Sequence, residues 1–106
     1  MRALAALALS LVGLVGCQKS SYQECDVACR NYYYVHYWRD AELEIAKVPE
    51  AQRAELRKQK QIDYEPRMMK ELNLCIVQCQ KTPATPEQVK CMTEAKTAET
   101  AEACLK

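Results

Sequence analysis

The sequence predicts an all-α fold: a disulfide-stapled antiparallel helical hairpin followed by a short C-terminal helical hairpin. Three observations carry that expectation. Beyond residue 16 the chain has no glycine, and it has no phenylalanine anywhere; without the residue that enters positive φ cheaply, tight β-hairpin turns are hard to build. Alanine, glutamate, lysine, glutamine, arginine and leucine dominate instead, and all are strong helix formers. Finally, Cys25, Cys29, Cys75, Cys79, Cys91 and Cys104 form an even set in a short chain, the mark of a disulfide framework.

The first element is a leader. Met1-Arg2 supplies one positive charge, and Ala3 to Val15 is apolar apart from Ser10 and Gly13, the order of an export signal. The run is shorter than the roughly 20 apolar residues that span a bilayer. It ends in Leu14-Val15-Gly16-Cys17, which resembles the lipobox of bacterial lipoproteins. The resemblance implies cleavage before Cys17 and acylation of Cys17 with palmitate-like chains. The protein would then be held in the cell envelope by a membrane lipid anchor, with its domain in the periplasm or at the cell surface. Gln18, rather than aspartate, follows the cysteine and points to the outer membrane over the inner, although Lys19 and Ser20 can favour retention in some lineages. The alternative is an ordinary secretory signal with Cys17 a free thiol or a disulfide partner.

Removing residues 1–16 from the 106-residue chain leaves 90, enough for one domain with a shallow core. Without Arg2 the 15 basic side chains become 14, against 14 acidic ones, so the domain is formally neutral. No electrostatic case for a nucleic-acid partner follows.

Residues 17–20 read as a lipidated tether, 21–81 as the hairpin and 82–106 as a C-terminal clasp. Ser21-Tyr22-Gln23-Glu24 is a capping box, so helix one should run from Tyr22 to about Lys47, where Val48-Pro49 stops it. Pro49-Glu50 suits the first turn of helix two. Pro66 should kink or briefly break that helix, which then resumes through Met68 to about Gln80. Thr85-Pro86-Glu87-Gln88 caps a third helix, and Thr97 a short last one from Ala98.

Cys25-x-x-x-Cys29 and Cys75-x-x-x-Cys79 each place two thiols on one helical face. In an antiparallel pair, facing residues have a constant index sum. Cys25 with Cys79 and Cys29 with Cys75 give the same sum, so a single register satisfies both bonds, with a midpoint near the stop at Val48-Pro49. This twin CX3C pattern resembles the α-hairpinin peptides and the small Tim chaperones, whose nested pairing implies the same connectivity here. Their inter-motif segment is far shorter than the 45 residues of this chain, so the likeness covers the cysteine motifs alone. Cys91 and Cys104 would lie about 20 Å apart on one straight helix; if they pair, the chain turns between them, near Lys96-Thr97. Other pairings stay open, because six cysteines allow 15 connectivities.

A period of 100° per residue puts Cys25, Cys29, Tyr32, His36, Asp40 and Leu43 on the inner face of helix one. In this register Tyr32 meets Leu72, His36 meets Met68 and Asp40 meets Tyr64. Val27, Tyr34, Trp38 and Ile45 form a second stripe on the opposite side. It receives the C-terminal helices through Val89, Met92 and Leu105, binds a partner, or, only if the domain lies flat, anchors at a membrane interface; Tyr34, Trp38 and Ile45 are the candidate binding residues, since Tyr and Trp are enriched at hot spots.

His36, the sole histidine, could form a soft-metal or haem site with Met68, but packing is the simpler role. Thiolate zinc fits poorly with an oxidising compartment, and CX3C is not the CXXC redox motif. The run Arg53, Arg57, Lys58, Lys60 is interspersed with acids and reads as a solvated face. No G-x-S-x-G elbow or H-E-x-x-H motif occurs. The expectation is a non-enzymatic envelope module without metal or cofactor, presenting a surface to another envelope protein. The alternative is an inhibitor of an enzyme or toxin acting through the tip around Val48 to Arg53 or the linker Pro83 to Pro86.

Overall fold

The computed structural model describes residues 21–81 and 84–106. The leader, Cys17 and the lipobox reading lie outside the described residues, as do Thr82 and Pro83. Four helices follow in order: α1 (Tyr22–Lys47), α2 (Glu50–Lys81), α3 (Pro86–Glu94) and α4 (Ala98–Ala103). Among the described residues there is no strand, and no helix is long and apolar enough to cross a membrane.

Local chemistry sets the helix starts. The Ser21 hydroxyl accepts from the Glu24 amide at 3.1 Å while the Glu24 carboxylate accepts from the Ser21 amide at 3.0 Å, which satisfies two donors that a helix start leaves open. Thr85 with Gln88 opens α3 in the same reciprocal way, with Pro86 at its first position. Thr97 and Thr100 do so for α4. The connection from α1 to α2 is only Val48-Pro49. Arg53 secures it by donating to the carbonyls of Val48, at 3.1 Å, and Ala46, at 3.3 Å.

Of the kink or brief break expected at Pro66, the break does not occur, and α2 runs unbroken through it. A proline inside a helix takes the amide away from the carbonyl four residues earlier, here that of Ile62. Ile62 is 57% exposed, so the chain at this point is open to water, which can replace the missing donor.

Helices α1 and α2 pack as an antiparallel hairpin closed by Cys25–Cys79 and Cys29–Cys75, each with Cα atoms 6.0 Å apart. The inner face differs from the simple periodic expectation. On α1 the covered residues step by four: Cys25, Cys29, Ala41 and Ile45 are buried and Tyr33 and Tyr37 half-buried. On α2 the matching row is Leu56, Lys60 and Tyr64, half-buried, then Met68, Leu72 and Ile76, buried. Rows of this kind are inclined to the helix axis and rotate by about 40° per step. The covered face of α1 therefore migrates around the helix toward the tip. Asp40 and Leu43, expected inside, are exposed; Ile45, expected on the far side, is only 2% exposed.

Helices α3 and α4 form the clasp, joined by Cys91–Cys104 with Cα atoms 5.6 Å apart. The clasp does not lie on the Val27, Tyr34, Trp38 stripe; Val27 and Tyr34 are exposed, and so is Leu105. It seats on Ala28, Asn31 and Val35, spaced as one helical face. Fully buried Ala28 sits in one core with the α1–α2 bridges, Val89 and Met92, while Val35 packs with Ala95 and Ala101. Asn31 selects this seat. Its amide nitrogen donates to the carbonyls of Met92, at 2.7 Å, and Ala95, at 2.8 Å. These close the C-terminal end of α3, where helical carbonyls lose their own partners.

Candidate interaction surface

The densest side-chain chemistry is an aromatic belt midway along the hairpin. Helix α1 contributes Tyr33, Tyr34, Tyr37 and Trp38, and α2 contributes Tyr64 beneath them. Tyr64 meets Tyr34 edge-on at 5.8 Å between ring centroids and 86° between planes, and Tyr37 at 5.2 Å and 69°. Tyr37 in turn meets Trp38 at 5.5 Å and 85°. Edge-to-face contacts of this type add to the area that the rings bury. The Tyr37 hydroxyl donates to the Lys60 carbonyl at 2.7 Å and fixes its ring against α2. Burial pushes the phenols of Tyr33, Tyr37 and Tyr64 above the ordinary tyrosine value, so the rings stay neutral in the belt.

Of the three binding residues expected from sequence, the structure joins two. Tyr34 is 50% exposed and Trp38 half-buried, with ring centroids 6.5 Å apart. Ile45 is a correction: it is buried at the tip end of the hairpin and cannot offer its side chain to a partner. Tyr64 takes a place in the patch that spacing on α1 could not show. Because these rings are already held by one another, binding through Tyr34 and Trp38 would freeze few further rotamers.

His36 does not meet Met68 as expected. Its Nδ1 lies 2.8 Å from the Tyr32 carbonyl and its Nε2 2.9 Å from Glu102 Oε1. Both ring nitrogens thus face oxygen atoms, one on α1 itself and one on α4, which fixes the orientation of the ring. The His36 hydrogen bond holds the Glu102 carboxyl below the usual carboxylate value, with Arg39 adding to the effect. Met68 Sδ instead lies 3.9 Å from Arg30 Nη1. His36 thus ties α4 to α1, and among the described residues no group of three His, Cys, Asp or Glu is placed to hold a metal ion.

The basic run of α2 is largely matched inside the hairpin. Arg57 pairs with Glu42, Lys60 pairs with Glu44, and Arg53 closes the tip connection. That tip is a two-residue link pinned by hydrogen bonds and no projecting loop. Asn31 and the His36–Glu102 pair are the contacts that sequence reasoning missed; a polar residue between Ala28 and Val35 on one face was the available sign for Asn31. No family model, curated protein or solved structure matches the chain.

Proposed function

We propose that the chain is a lipoprotein of the bacterial cell envelope, anchored through acylated Cys17 on the outer membrane, whose braced hairpin is a non-enzymatic module that presents Tyr34 and Trp38 to another envelope protein. The carrying observation is the cysteine inventory. Of seven cysteines, the six beyond Cys17 are used up in three mutual disulfides. Cys17 is left with no cysteine partner in the chain, at the position where Leu14-Val15-Gly16 calls for a lipid. Three bridges also suit an oxidising compartment. The aromatic belt supports the interaction role, since rigid, part-exposed Tyr and Trp side chains are the kind that dominate binding energy.

Two measurements test this reading. Intact mass of the protein recovered from membranes should correspond to residues 17–106 plus acyl groups, with all three bridges oxidised; an unmodified Cys17 thiol would overturn the anchor. A photo-crosslinking residue at position 34 should give one discrete adduct in cells that Trp38→Ala abolishes, while the same probe at exposed position 43 gives none. Equal adducts from both positions would remove the assigned surface.

A further inference from the structure

Beside the Cys29–Cys75 bridge an apolar trough lies open between α2 and the clasp. One part, of about 290 Å³, is lined mainly by Tyr32, Leu72, Leu74, Met92 and Leu105. A second, of about 270 Å³, shares Cys75, Gln78, Met92 and Leu105 with the first and continues to Cys79 and Ala84. From Cys79 to Glu71 the trough follows α2 for roughly 12 Å at the helical rise. Among the described residues its rims stay largely uncovered: Leu74 is 60% and Leu105 49% exposed.

Two features say what would lie there. The trough is lined mostly by apolar side chains; among the described residues Glu71 is the one charged residue along it, and Gln78 is neutral. That suits an alkyl chain. Its Cys79 end is also the end of the hairpin at which the chain begins, since Cys79 is bonded to Cys25, one helical turn after Ser21. Cys17 precedes Ser21 by four residues, which extend to at most about 14 Å. A chain attached to Cys17 is therefore within reach of the Cys79 and Ala84 end of the trough.

We infer that this trough shelters part of one acyl chain of the Cys17 lipid whenever the protein is away from a bilayer, and releases it when the lipid inserts. The inference rests on the acylation of Cys17 proposed above. Binding is by burial of methylene groups alone; no covalent step is involved. Covering one chain in this way would reduce the apolar surface that the anchor exposes while the protein is away from a membrane.

The test compares two forms of the mature chain: the lipidated protein freed of detergent, and a Cys17→Ser form exported behind a non-lipoprotein leader so that it carries no acyl group. The probe is cis-parinarate, a fluorescent fatty acid. The Cys17→Ser form should bind it saturably at one site, and the lipidated form at least about tenfold more weakly because its own chain competes. Leu74→Glu and Leu105→Glu in the Cys17→Ser background should abolish binding while helical circular dichroism and three intact bridges show that the fold is kept. Leu43→Glu, exposed and outside the trough, should leave binding unchanged. No saturable binding by the Cys17→Ser form overturns the trough as an alkyl site, and equal binding by both forms overturns the anchor as its occupant. Failure of the lipoprotein reading itself shows separately, as an absence of acyl mass on Cys17.

Discussion

Removing the two hairpin bridges singly and together should expose a strong coupling between them. Cys25 and Cys79 are 54 residues apart in sequence and Cys29 and Cys75 are 46 apart, one pair nested inside the other. Closing the unfolded chain with either bond alone is worth about 4 kcal/mol by loop entropy. With one bond in place, the second closes only a small ring of about 10 residues and adds about 2.6 kcal/mol. Cys25→Ala/Cys79→Ala and Cys29→Ala/Cys75→Ala should thus each cost about 2.6 kcal/mol, while the fourfold variant costs about 6.7 kcal/mol, some 1.5 kcal/mol beyond the sum. Alanine is the suitable replacement because Cys25, Cys29 and Cys79 are buried. A domain of this size has little more than 5 kcal/mol to lose, so the single-bridge variants should fold and the fourfold variant should be largely unfolded in plain buffer. Urea unfolding followed by circular dichroism, in a fixed background of stabilising osmolyte so that every variant starts folded, measures all three values. Costs that simply add, or a fourfold variant no weaker than a single one, would refute the loop reasoning.

Asn31→Leu should cost about 2 kcal/mol, since two carbonyls at the end of α3 lose their donor; hydrogen exchange should quicken in α3 and α4 and stay slow in α2, and uniform quickening would show that the clasp is not held separately. Tyr64→Ala should cost about 3 kcal/mol and loosen the rings of Tyr33, Tyr34 and Tyr37, which it touches; near-ultraviolet circular dichroism should lose its aromatic signal, and an unchanged spectrum would contradict the belt. Hydrogen bonds from Arg57 and Lys60 hold the carboxyls of Glu42 and Glu44 below the ordinary value of 4.5. A lowered folded value means that these pairs stabilise above pH 4.5 and stop doing so as the pH falls through the folded values. The urea midpoint should therefore decline below pH 4.5, and Glu42→Gln/Glu44→Gln should flatten that decline; an identical acid profile in the double variant would exclude these groups.

The helix starts and stops could be read because they are written locally. Ser21 with Glu24, Thr85 with Gln88, and Val48-Pro49 each act within a few residues of themselves. The hairpin register was legible because cysteines tolerate almost no misplacement. What could not be read was set by neighbours distant in sequence. A fixed turn of 100° per residue assumes that α2 keeps to one side of α1, whereas packing along rows of four carries it around, burying Ile45 and leaving Leu43 exposed. Asn31 finds its partners 61 and 64 residues away, and His36 finds Glu102 66 residues away. Tyr34 and Trp38 were found by composition and spacing; Tyr64, which supports Tyr34, belongs to the other helix.

The two long helices are closed covalently at both extremities, by the peptide link through Val48-Pro49 at one and by paired sulfurs at the other. They are thus opposite sides of a macrocycle, and neither can slide past its neighbour by a turn without rupturing a bond. A protease that cuts the exposed link at Pro49 or Glu50 would produce a nicked molecule whose halves stay together until a reductant is added. Damage at the far end would leave the molecule in one piece, and the bridged end would still hold both helices in step.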